Sequence, residues 1–193
     1  MALIGSTPNT LPGNAVGSYR VTPVAADVDR ILTAYTDDGA VANFVTADLD
    51  GQPDVCRNIT ATAGGTAADI GAIQVTITGT DMRDDVITED LPAFTVNTAG
   101  TVQSTKAFKT VTAVSIPAHD GTGATTSIGV GDKLGLPYKN DRNTVLAAFL
   151  NGTKEGTAPT VTSSASVLAS NTVDLNSALD GNEVVIDYYN AEG

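Results

Sequence analysis

The feature that most limits the fold of this 193-residue chain is a succession of short runs in which β-branched residues alternate with small or polar ones. After Gly39 they follow almost without a break: VANFV at 41–45, NITATA at 58–63, IQVTITG at 73–79, DVITEDLPAFTV at 85–96 and FKTVTAVSI at 108–116. TTSIGV at 125–130, TVLAAFL at 144–150, TAPTVT at 157–162, SVLAS at 166–170 and VVIDYY at 184–189 continue the series. In the third run Ile73, Val75 and Ile77 fall on one side of a pleated strand and Gln74, Thr76 and Thr78 on the other, which suits one buried and one wet face. Turn sequences punctuate the runs (TAGG at 62–65, NTAG at 97–100, DGTG at 120–123), and NG at 151–152 and DG at 180–181 suit two-residue hairpin loops with positive φ. The expected fold is mainly β, an antiparallel sandwich or barrel of jelly-roll-like type.

Two segments depart from the period of two. In VAADVDRILTAYT, residues 24–36, Val24, Val28, Ile31, Leu32 and Tyr35 recur at three- and four-residue spacing before DDG, which predicts one short helix packed on the end of a sheet. Residues 1–22 are rich in Gly, Pro, Asn and Ser, and their isolated apolar residues, Leu3, Ile4, Leu11, Val16 and Tyr19, follow neither period. They predict an extended arm that uses those side chains as anchors on a partner. The β-rich domain then covers 23–193, with 140–193 a candidate sub-lobe.

Charge and cysteine usage narrow the function classes. Ten Lys+Arg against 22 Asp+Glu give a formal charge of −12, and basic residues such as Arg20, Arg30, Arg57, Arg83, Lys106, Lys109 and Arg142 stand singly. Phosphate backbones are held by clustered positive charge, so nucleic acid is not an expected partner. No run of about 18 apolar residues offers a membrane span, and the N-terminus lacks the basic and apolar regions of a secretion signal. The single cysteine, Cys56, excludes an intramolecular disulfide, and no Cys/His cluster suggests zinc.

Nothing in the chain assembles a reaction centre. The only histidine, His119, precedes a turn in IPAHDGTG, and the adjacent Asp120 is poorly placed to orient it as a base. Arg57 beside Cys56 could lower the thiol's pKa, but a structural thiol is the expectation. Asp48, Asp50 and Asp54 in DLDGQPD lack the remaining oxygen ligands of a calcium loop. The carboxylates of TDMRDDVITED, 80–90, belong to a hairpin tip, and the glycines of DGTGATTSIGVGD match neither phosphate-binding fingerprint. No catalytic residue, cofactor or metal is expected.

From Arg57 to Pro137 the chain resembles a β-rich family of virion structural proteins from tailed bacteriophages. The resemblance is carried by RNITATAGGTAADIGAIQVTITGTD, VITEDLPAFTVNTAGTVQSTKAFKTVTAVSIP and GTGATTSIGVGDKLGLPYK, in that order. One departure is Arg83-Asp84, where such proteins carry a Gly-Asn turn. The resemblance implies a non-enzymatic role, most like a capsid decoration or cement protein on the outer virion surface after assembly in the host cytoplasm. Its implied partners are the major capsid protein and further copies of itself, as a homotrimer. A tail or head-to-tail component and an adhesin-like binding module, for which Tyr138, Tyr188 and Tyr189 are the candidate aromatics, are the alternatives.

Overall fold

The computed structural model describes residues 16–189. Its longest strand, β9 (Ala124–Gly135), has one flank covered from end to end by β4 (Arg57–Gly65). The other flank is shared between β2 (Asp27–Thr36), along Thr125–Val130, and β13 (Thr172–Asp174), along Lys133–Gly135. β7 (Gly100–Phe108) and β12 (Thr160–Thr162) complete this sheet at its edges. A second sheet holds, in order, β3 (Ala42–Val45), β8 (Thr110–Ile116), β5 (Thr76–Thr80) and β6 (Val86–Asp90). The third holds β1 (Val16–Val21), β14 (Val184–Tyr189), β10 (Val145–Leu150) and β11 (Thr153–Lys154). Every pairing is antiparallel, as the turn-punctuated alternation requires. No helix among the described residues is long and apolar enough to cross a membrane.

Two cores form, and β9 enters both. In the first, Ile31, Ile59, Ala61, Ile128 and Val130 meet Ile77, Val111, Val114 and Ile116 of the second sheet, while Ile70, Leu91 and Phe94 close the ends. Tyr35 packs edge-on against Phe44 across this core, ring centroids 5.4 Å apart. In the second, Leu134 joins Ala148, Val173, Val184 and Ile186, with Leu136, Tyr138, Leu175 and Leu179. Each fully buried Ile or Leu contributes about 1.5–3 kcal/mol. Residues 140–189 thus surround their own core, yet they share sheet pairing with β9 through β13, and β1 joins them from the opposite end of the chain.

The expected helix at 24–36 is instead β2. Between Asp27 and Leu32 the strand advances five residues while β9 moves two, from Val130 to Ile128, and a second irregularity separates Leu32 from Tyr35. Bulges of this kind abolish the strict alternation of sides. Ile31 and Leu32 are both buried, Val28 is exposed, and the apolar spacing imitates a helical period. Val16–Val21, expected in the extended arm, instead pair with β14 from Val16↔Tyr189 to Val21↔Val184; the rest of the expected arm lies outside the described residues. Residues 166–170 contain a 3-10 turn, Leu168–Ser170, rather than a strand. Buried Asn171 organises it by donating to the carbonyls of Ser164, Val167 and Leu168 and accepting from the amide of Ser164.

A side-chain seam joins the first two sheets. From Asn58 to Thr60 β4 advances two residues while β7 runs from Ala107 to Gln103, so Ser104–Lys106 bulge out of the ladder. Ser104 Oγ accepts from the Ile59 amide at 2.9 Å and donates to the Lys106 carbonyl at 2.7 Å. The amides of Thr105 and Lys106 donate to the Glu89 carboxylate at 2.7 and 3.0 Å, and Lys106 Nζ returns to the Thr88 carbonyl at 2.6 Å. Edge strands β6 and β7, from different sheets, are thereby stitched without a ladder between them, which blunts two open edges at once.

The close approach of β2 to β9 needs Gly129, where an added Cβ would lie 1.9 Å from the Asp27 carbonyl oxygen. Gly129→Ala is expected to destabilise the fold by about 1–3 kcal/mol or more through overpacking against backbone that cannot yield. The urea midpoint of the variant measures this, and an unchanged midpoint would contradict the β2–β9 contact.

Candidate functional site

The most heavily buried charge in the described residues is Arg57, at the start of β4 and inaccessible to solvent. Its Nε donates to the Gly131 carbonyl at 2.7 Å, and Nη1 donates to the Val24 carbonyl at 2.9 Å and to Asp54 Oδ1 at 3.0 Å. Nη2 stands 3.9 Å from Asp132 Oδ1, an ion pair beyond hydrogen-bond length. Asp54 Oδ2 accepts from the Val24 amide at 2.7 Å. Burial pushes the Asp54 carboxyl up, but the Val24 amide and the Arg57 guanidinium outweigh it and hold it below its ordinary range. The cause of this arrangement is a bulge: β4 passes from Arg57 to Ile59 while β9 passes from Leu134 to Val130. The bulge leaves the Gly131 carbonyl and the Lys133 amide to side chains; Arg57 takes the first, and Asn58 Oδ1 accepts the second at 2.9 Å. Arg57 therefore binds three elements of this chain together.

Beside this clip lies a shallow cavity of about 400 Å³ lined by residues that include Val28, Thr60, Gln103, Asp132, Lys133 and Asp174. Burial raises the Asp174 carboxyl, with Asp132 adding to the shift and Lys133 opposing it. Two carboxylates face one ammonium there, and neither a histidine nor a thiol lines the space.

His119 is buried in the first core's rim, stacked on Phe94 at 5.9 Å. Its Nδ1 accepts from the Gly71 amide at 3.2 Å, which assigns the ring proton to Nε2 and its 2.8 Å bond to Thr126 Oγ. Asp37 bonds the backbone of His119, at 2.9 Å, and not its ring. Burial lowers the imidazole pKa, against the opposing charges of Asp37 and Asp120. With both ring nitrogens engaged, His119 ties the 71 and 119 loops to β9.

The other candidates are similarly committed to the fold. Cys56 is buried and its thiol is pushed up to about 12 by burial, while the adjacent guanidinium faces Gly131, Val24 and Asp54. Asp48, Asp50 and Asp54 accept from the amides of Val45, Thr33 and Val24 and do not converge. Among the described residues no three His, Cys, Asp or Glu side chains are grouped to hold a metal ion. Asp81 accepts from the Arg83 and Asp85 amides, and Asp84 takes the left-handed conformation at φ 66° while pairing with Lys109 at 2.7 Å. Arg83-Asp84 thus makes its turn with Asp in a conformation that this residue tolerates. In the glycine-rich loop, the Gly123 amide donates to Asp69 Oδ2 at 3.0 Å and the Gly121 amide to the Asp69 carbonyl at 3.2 Å, so both amides are taken up by Asp69.

The proposed anchors separate. Leu3, Ile4 and Leu11 lie outside the described residues. Val16 and Tyr19 share β1, but Val16 is exposed whereas Tyr19 packs against the second core, where burial raises its phenol pKa. Tyr138 and Tyr188 stack at 4.0 Å, with Tyr138 buried, and do not form an exposed aromatic platform. Arg57 was not legible as a centre, since nothing in VCRNIT distinguishes a buried arginine from the exposed ones. The chain matches no family model, no curated protein and no solved structure.

Replacing Arg57 with Leu would leave Asp54 and two carbonyls without their donor, and is expected to cost about 3–5 kcal/mol. Arg57→Lys should recover little, since one ammonium cannot span the three acceptors; full recovery in urea unfolding would contradict the clip. For His119, a folded pKa below the unfolded value near 6.5 means that the unfolded chain binds the extra proton first. The contribution is complete above about pH 6.5 and is lost as pH falls through the lowered folded value. The stability gap between wild type and His119→Gln should therefore narrow from pH 7.5 to pH 5 in paired urea titrations, and a constant gap would refute a buried neutral imidazole.

Proposed function

We propose that the chain is a bacteriophage capsid decoration protein, a structural component that binds the outer shell in many copies and stabilises contacts between major capsid protein subunits. The observation that carries this reading is the fate of the reactive side chains. His119, Cys56, three of the Arg57 contacts and the carboxylates of Asp48, Asp50, Asp54 and Asp69 are spent on hydrogen bonds and packing within the β body, which leaves shape as the molecule's working property. The motifs between Arg57 and Pro137 that resemble virion structural proteins support the same role.

A protein of this kind works by covering joints between subunits and repeating a modest contact over the whole shell, so that avidity replaces a single strong site. A charge of −12 keeps free copies apart before assembly. Residues before β1, with Leu3, Ile4 and Leu11, supply an arm that gains contact area as it orders on the shell. Grouping into trimers would cover further strand edges.

The arm is tested by truncation ahead of β1, because removing Val16–Val21 would also strip an edge strand from the third sheet. Deletion of residues 1–15 should leave a folded chain whose occupancy on purified shells falls about tenfold or more, as expected when one linked contact is lost; unchanged occupancy would remove the arm's role. Shells assembled without the protein should rupture at lower temperature than complete ones. Equal robustness would sink the stabilising role itself.

A further inference from the structure

One asparagine of the chain is followed by glycine, and the structure places that pair, Asn151-Gly152, at the tip of the β10–β11 hairpin. Both residues are exposed, and both take positive φ, 51° and 72°, in the two-residue loop between Leu150 and Thr153. An added Cβ at Gly152 would meet nothing within 4 Å, so the space around this residue is open. Among the described residues no acceptor takes the Gly152 amide.

The other asparagines among the described residues are held back, each by its surroundings. Asn58, Asn140 and Asn171 are buried, with their carboxamides bonded inside the fold. The amide that follows Asn97 donates to the Thr95 carbonyl at 3.2 Å, and the amide that follows Asn176 donates to Glu155 Oε2 at 2.9 Å. Asn143 precedes the buried, β-branched Thr144, and its Oδ1 accepts from the Val145 amide. Asn182 donates its carboxamide to Asp180, and Asn43 lies within β3, where Phe44 pairs with Val114.

The geometry points to Asn151 as a site of spontaneous deamidation, the first of the described asparagines to convert, whose conversion releases β11. The Gly152 amide nitrogen attacks Asn151 Cγ. The new N–Cγ bond closes a cyclic imide, the Cγ–Nδ2 bond breaks, and ammonia leaves with the amide proton. Water then opens the ring and is the sole co-reactant. Its attack at Cγ yields aspartate, whereas attack at the backbone carbonyl carbon routes the main chain through Cβ and Cγ and yields isoaspartate, with an extra backbone methylene. Ring closure draws Asn151 out of its left-handed turn, and β11 resists with two ladder pairs and the 2.9 Å bond from the Glu155 amide to the Ala148 carbonyl. A lengthened loop no longer matches the two-residue turn that sets the hairpin register. Thr153 and Lys154, both exposed, then leave β10 and bare its edge beside a cavity of about 270 Å³ lined by residues that include Leu146 and Pro159. The inference is independent of the capsid reading, because it concerns the purified chain alone.

Incubation of the full chain at about pH 8.5 and about 37 °C, followed by tryptic digestion and mass spectrometry, tests the site. Peptide 143–154, released by cleavage after Arg142 and Lys154, should gain about 1 Da, with fragmentation placing the change at Asn151, about tenfold faster than at any other described asparagine. In the converted protein, amide hydrogen exchange across 149–154 should quicken about tenfold while β1 and β14 keep their protection. Asn151→Gly retains a pair suited to the same turn and removes the carboxamide, so it should keep both the mass of 143–154 and the hairpin's protection through the same incubation. A 143–154 peptide that stays unchanged, another described asparagine that converts first, a converted hairpin as protected as the original, or equal loss of protection in Asn151→Gly would overturn the proposal.

Discussion

The structure depends on a break in one strand. β9 lines two cores, and between them its pairing with β4 is interrupted at residues 131–133, opposite Asn58 and between the Arg57↔Leu134 and Ile59↔Val130 pairs. An interruption in a central strand frees backbone groups from the ladder, and each that is buried and left unpaired would cost about 1–3 kcal/mol. Arg57 and Asn58 take up the Gly131 carbonyl and the Lys133 amide, and Arg57 carries the tie on to Val24 and Asp54. Gly131 has room for this only because it lacks a Cβ, which would sit 2.5 Å from the Asn58 amide nitrogen.

Polar side chains do similar work around the periphery. Glu89 satisfies amides released by the bulge of β7, Asp69 fills the glycine-rich loop, and Asn171 holds the turn beneath the second core. Such groups would be chemically versatile in an open cleft. Here each is directed at a nearby backbone group, so the protein acquires rigidity from the same residues that would otherwise offer reactivity. The proposed shape-dependent role in a larger assembly draws on that rigidity.

Several elements were legible from residue pattern alone. The second half of IQVTITG falls in β5, and the alternation of sides holds, with Val75, just before the strand, and Ile77 in the first core and Thr76 and Thr78 half-buried on the other side. NG at 151–152 makes the expected positive-φ turn between β10 and β11, with φ of 51° and 72°. The segments that misled did so for one reason. In β2, irregular pairing with β9 puts Ile31 and Leu32 into the same core, so a strand carries helix-like spacing. β1 has Gly17, Ser18 and Arg20 between its apolar residues and becomes a strand only because β14, some 170 residues later, offers it an edge.

The sequence by itself determined the class of fold and the position of several turns, because alternation and turn chemistry act over a few residues, whereas TAGG at 62–65, expected as a turn, lies inside β4 and is paired on both sides. It also determined the net charge and the presence of a single thiol. Only the tertiary structure decided which strand carries both cores, where Arg57 goes, and which nitrogen of His119 holds the proton. These follow from bulges and from contacts between residues far apart in the chain, and the free energy that selects them exists only once the distant partner is in place.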